Sequence, residues 1–152
     1  MAERRGECQN SAMLILPVSP SSLLVRTDFT SDDVWEQVCA EALRENEDGF
    51  CAYAVPISDP AFTGAAWEVV RSAVPVNDHG ASVLFIVDSV TIDDKDHPIL
   101  VVGLSSDLGE SPFRCIPAEL WSVDNNLNIS NMDWAEFAAA VDEDGVFRGF
   151  PA

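Results

Sequence analysis

The stretch Leu23-Leu-Val-Arg-Thr-Asp-Phe-Thr-Ser-Asp-Asp-Val-Trp35 decides the fold, because a strand, a turn and the start of a helix follow one another in it. Leu23, Leu24 and Val25 form a short apolar run of strand character. Asp28 stands where that run stops. Thr30 and Ser31 are suited to cap a helix, and Asp32 and Asp33 suit the positive end of its dipole. Val34, Trp35, Val38, Cys39, Ala42 and Leu43 then recur at helical spacing, which predicts an amphipathic helix over about 31–45. Gly49 is its natural stop.

A strand leading into a capped helix is the opening of an α/β unit, and the rest of the chain continues in that manner. Residues 50–55 predict a second strand closed by Pro56. Residues 65–74 predict a short helix with Trp67, Val70 and Val74 on one side, ended by Pro75. The turn at 77–80 contains His79. Val83-Leu-Phe-Ile-Val87 is the most apolar run, as expected of a strand covered on both faces. Residues 99–104 predict the next strand. Residues 89–98 are marginal for a helical crossover, so a long hairpin loop is expected there. A turn at 107–112 leads to a strand at 113–116, and Pro117 opens a helical turn to Trp121. Residues 124–128 read as a polar turn. Ser130-Asn-Met-Asp133 fits a capping box for a helix bearing Trp134, Phe137, Ala138 and Val141. Gly145 and the acidic run 142–144 should stop that helix, and 146–150 should dock on the core. The expected architecture is one α/β domain over 14–150: a mixed sheet of about five strands packed by three to four helices, after a disordered arm at 1–13.

Composition limits function more than it names it. The chain has 152 residues, with 8 Lys+Arg against 26 Asp+Glu and a formal net charge of −18. Such a surface repels phosphate backbones, so no nucleic-acid partner is expected, and anionic membranes are disfavoured likewise. A basic protein partner fits it, as does acidity serving solubility alone. The cysteines at 8, 39, 51 and 115 form no C-x-x-C pair. A reducing, cytoplasmic location is the simpler expectation. No signal peptide or membrane span is visible.

Several segments resemble one family. Leu16-Pro17, the opening stretch 23–35, Ser58-Asp-Pro-Ala-Phe-Thr-Gly64, Asn128-Ile-Ser-Asn-Met-Asp133 and Asp142-Glu-Asp-Gly-Val-Phe-Arg-Gly-Phe150 look like the successive segments of DUF6924, a domain of unknown function. The resemblance spans roughly 14–150. It implies a small soluble α/β domain and brings no catalytic residue with it.

The candidate sites rest on residue chemistry. If the strands before Asp28 and Asp88 are parallel neighbours, both carboxylates lie at one carboxyl edge, where open α/β sheets bind ligands. They can then hold Mg²⁺ or divide acid and base roles, unless each simply caps a turn. Val90 stands where a phosphatase aspartate motif needs its second Asp. Asp93, Asp94, Asp96 and His97 carry metal-ligand chemistry but match no loop pattern, and a solvated loop tip is the alternative. The calcium-loop pattern from Asp142 fails, since its closing Glu would fall beyond the chain. Arg26, Arg114 and Arg148 are scarce cations that either hold an anionic ligand or pair with Asp28, Asp133 or Asp142 to lock tail to sheet. No nucleophile elbow or phosphate loop is present, and no cofactor is expected. Three functions remain open: a non-catalytic module that masks a basic partner, an enzyme or ligand binder using Asp28 and Asp88 with an arginine, and a homo-oligomer formed by swapping an apolar arm around 13–17.

Overall fold

The computed structural model describes residues 14–75, 80–104 and 111–150. The expected arm at 1–13 with Cys8, most of the 77–80 turn with His79, and most of the 107–112 turn lie outside the described residues. The described chain builds one six-stranded mixed sheet in the order β2-β1-β3-β4-β5-β6. The strands are β1 (Leu23–Arg26), β2 (Val55–Ile57), β3 (Val83–Val87), β4 (Ile99–Gly103), β5 (Phe113–Cys115) and β6 (Val146–Phe147). Five α-helices accompany them: α1 (Asp32–Leu43), α2 (Trp67–Ser72), α3 (Ser89–Asp93), α4 (Leu120–Asn128) and α5 (Trp134–Ala138). Short 3-10 turns precede α2 and α4 at Pro60–Phe62 and Pro117–Glu119.

The β1 and β3 strands are parallel neighbours, with Leu24 opposite Phe85 and Arg26 opposite Val87. From β1 the chain crosses to β2 on one side, then crosses back over β1 to reach β3 on the other. Crossovers of one hand that run in opposite senses must place their helices on opposite faces. The core divides accordingly. Trp35, Val38 and Ala42 of α1 join Leu24, Phe85, Val87 and the α4–α5 residues on one face. Val70 of α2 joins Leu16, Leu23, Val25, Phe62, Leu84 and Ile86 on the other. Every β3 side chain is thereby buried, as its unbroken apolar run predicts. The β3–β4 pair is antiparallel, as expected of the hairpin between them.

Several local expectations give way. The second strand is not 50–55 but the short β2 through Pro56. The preceding residues are instead tied to α4, where the Tyr53 N–H donates to Asp124 Oδ2 at 2.8 Å and Asn125 Nδ2 donates to the Cys51 carbonyl at 3.2 Å. Pro56 fits an edge strand. The Val55 N–H points inward to the Ser22 carbonyl, so the missing donor of Pro56 falls on the open side.

Residues 124–128 are not a turn but the second half of α4, with Asp124 buried at 2% exposure. Its carboxylate accepts from Tyr53 and from Asn128 Nδ2. Asn128 in turn donates to Ser22 Oγ and accepts from the Ser82 N–H. Polar side chains that suggest a turn in sequence thus join the helix to the amino ends of β1 and β3. The 89–98 hairpin contains α3, closed by a reciprocal capping box between Asp88 and Thr91. The capping residue of α5 is Asp133 rather than Ser130, and its N–H donates to Glu136 Oε1 at 3.0 Å. The closing segment docks as the sixth strand, parallel to β5.

Candidate functional site

The carboxyl ends of β1 and β3 meet where the order of strand addition reverses, the place at which open α/β sheets form ligand crevices. Thr27 continues the pairing one residue beyond β1, its N–H donating to the Val87 carbonyl at 2.9 Å. The Gly64 N–H then donates to the Thr27 carbonyl at 2.8 Å, which brings the start of α2 against the strand end. A cleft of about 550 Å³ results, lined by Thr27, Asp28, Gly64, Ala65, Ala66, Trp67, Ile86, Asp88, Ser89, Leu100, Pro112 and Arg114. The structure therefore brings Asp28 and Asp88 to one edge, together with Arg114.

Both carboxylates are already engaged. Asp28 Oδ1 accepts from the N–H and the hydroxyl of Thr30, at 2.8 and 2.5 Å. Asp88 accepts both nitrogens of the Arg114 fork, at 3.0 and 2.8 Å, and the Thr91 N–H and hydroxyl as well. Burial pushes the Asp88 carboxyl up, but the Arg114 fork and Thr91 outweigh it and hold the group below its ordinary value. Asp88 is accordingly an anion at neutral pH, the opposite of what a general acid needs. Arg114 reaches it because Leu100 and Arg114 are paired across β4 and β5, and its guanidinium also donates to the Pro98 carbonyl.

The other two arginines are also drawn inward or across the surface to carboxylates. Arg26 is 4% exposed and donates to Asp32 Oδ1 at 2.7 Å, to Ser58 Oγ at 3.3 Å and to the Asp28 carbonyl oxygen, not its carboxylate. Its guanidinium lies 4.4 Å from the Phe29 ring centroid and 5.5 Å from that of Trp35. The opening stretch is thus clamped on one cation. Arg148 holds Asp142, Asp144 and Asp96 at 2.8–2.9 Å and ties β6 to the loop after α3. Asp133 takes no part in these pairs among the described contacts.

The residues Asp93, Asp94, Asp96 and His97 do not converge. Asp94 Oδ1 caps the Asp96 N–H, Asp96 turns to Arg148, and His97 Nδ1 contacts the Thr91 carbonyl at 2.8 Å. Among the described residues, no group of three His, Cys, Asp or Glu side chains is placed to hold one ion. A second hollow, about 710 Å³, lies at the amino ends of β1 and β3, lined by Leu23, Arg71, Val74 and Leu104 among others.

Sequence reasoning missed one surface. Phe50, half exposed, stacks on Trp121 at 5.1 Å between centroids, and Tyr53, three residues further along the same segment, is 66% exposed. Assigning 50–55 to a strand hid it. The available signal was that these aromatics are three apart, which does not suit one face of a strand.

No helix among the described residues is long and apolar enough to cross a membrane. No curated protein matches the chain. A family model does, over residues 21–150, covering every element of the sheet and both flanking layers. The chain belongs to the family described as a domain of unknown function, DUF6924.

Proposed function

We propose that this protein is a non-catalytic interaction module that recognises a basic partner protein. The observation that carries this reading is the direction of its arginines. Arg26, Arg114 and Arg148 are each paired with carboxylates of the chain itself, in a chain with only 8 basic residues against 26 acidic ones. The outer surface is left strongly negative, which steers cationic partners and repels nucleic acid. Affinity purification of the full chain at 50 and 500 mM NaCl tests it. A basic protein retained at low salt and released at high salt is expected, whereas no salt-sensitive partner at low salt contradicts the reading.

The cleft at the β1/β3 edge favours a second reading, a binder of a small polar ligand with Asp28, Arg114 and the Trp67 indole as contacts. It predicts a ligand-induced rise in Tm that Asp28→Asn reduces. An unchanged response in that variant counts against it.

A further inference from the structure

We infer that the aromatic surface formed by Phe50, Tyr53 and Trp121 is the docking face for an arginine-rich segment of the partner. This inference rests on the interaction-module reading and names the place where it acts.

Three features of the surface point to such a segment. The first is its shape and rigidity. The loop before Phe50 is fastened on Asn46, whose side-chain oxygen accepts the N–H groups of Asp48 and Phe50, each at 2.9 Å. Asp124 and Asn125 of α4 hold the backbone of 51–53. The rings are therefore presented on an ordered frame while remaining solvent-facing. Large exposed aromatics held in this way are unusual away from contact surfaces.

The second feature is charge. Between residues 41 and 53 the chain carries Glu41, Glu45, Glu47 and Asp48 against Arg44 alone. Glu45, Glu47 and Asp48 are exposed. The neighbouring Cys51 thiol, with the carboxylates of Glu45 and Asp124, pushes the Tyr53 phenol above its ordinary value. Exposed aromatic rings in a segment rich in carboxylates suit a guanidinium, which stacks on a ring and donates to a nearby acid.

The third feature is the edge itself. With Pro56 turned outward, β2 offers the partner a broken row of donors, so recognition by strand addition is disfavoured. Contact then falls to side chains, which is what the aromatic surface provides.

The test uses the full chain, isotopically labelled, titrated at 50 mM NaCl with a peptide of alternating arginine and glycine and with its lysine counterpart. Amide shifts should concentrate at residues 45–55 and on α4, with the arginine peptide bound more tightly. Phe50→Ala with Tyr53→Ala should weaken the arginine peptide by about five- to thirty-fold, as expected for two exposed cation–ring contacts, at unchanged net charge. Tyr53→Ala alone provides the comparison if the double variant does not fold. Asp93→Asn with Glu143→Gln removes two charges elsewhere and should weaken both peptides slightly and equally. Native affinity in the aromatic variants, or shifts spread evenly over the acidic surface, overturns the docking face and leaves the interaction reading standing. No binding of either peptide at low salt overturns both.

Discussion

Removing the Arg114 guanidinium would leave the Asp88 carboxylate three-quarters buried with only Thr91 to compensate it. The cost of an unpaired, partly buried charge exceeds that of an exposed pair, so Arg114→Met should destabilise the fold by about 2 kcal/mol in urea unfolding. A change under about 0.5 kcal/mol would mean that the pair is screened like an ordinary surface bridge. The same pair has a pH signature. The folded-state pKa of Asp88 is lowered, so its contribution is complete above the unfolded value near 3.9 and is lost as pH falls through the lower folded value. Asp88→Asn should therefore flatten the acid limb of Tm against pH below about pH 5, and an unaltered limb would remove Asp88 from the account. Burial pushes the Cys39 thiol up to about 11 and the wholly buried Cys115 thiol well above its ordinary value. Both should resist alkylation at pH 8 in the folded protein and react on unfolding, as peptide mass mapping would show.

The elements differ in how openly the sequence announces them. Val83–Val87 is legible because five consecutive apolar residues have nowhere to face but two covered sides, and α1 is legible from its caps and spacing. Ser31 Oγ does accept the Val34 N–H, at 3.2 Å, and Ser31→Ala should cost about 1 kcal/mol of stability. The second half of α4 was hidden because Asp124, Asn125, Asn126 and Asn128 favour turns when exposed. Here Asp124 and Asn128 find hydrogen-bond partners more than forty residues away in sequence, which no local pattern records. Asp124→Ala should thus act beyond its helix, lowering stability by about 2 kcal/mol and loosening 51–53, measurable as faster amide exchange there. Slow exchange retained in that variant would show that the segment is held by other means. For the edge site, the sequence identified Asp28 and Asp88, and their proximity depended only on the parallel pairing of β1 and β3. Their engagement by Thr30, Thr91 and Arg114 was not legible, since it depends on the register of β4 with β5.

At the scale of the whole molecule, three of the eight basic residues act as clamps between segments of the chain, against an excess of acidic residues. Arg26 closes the opening stretch, Arg114 closes the β1/β3 edge, and Arg148 closes the tail. A surface so acidic repels itself, and salt should relieve that repulsion. Tm is therefore expected to rise between 20 and 300 mM NaCl, while a fall would show that the clamps matter more than the exterior field. The same exterior is what the proposed basic partner would meet. The decisive measurement is the dissociation constant of the full chain with its captured partner as a function of NaCl concentration. A straight, steep loss of affinity on a logarithmic scale, at least about tenfold between 50 and 500 mM, is the predicted result. An affinity indifferent to salt would contradict it.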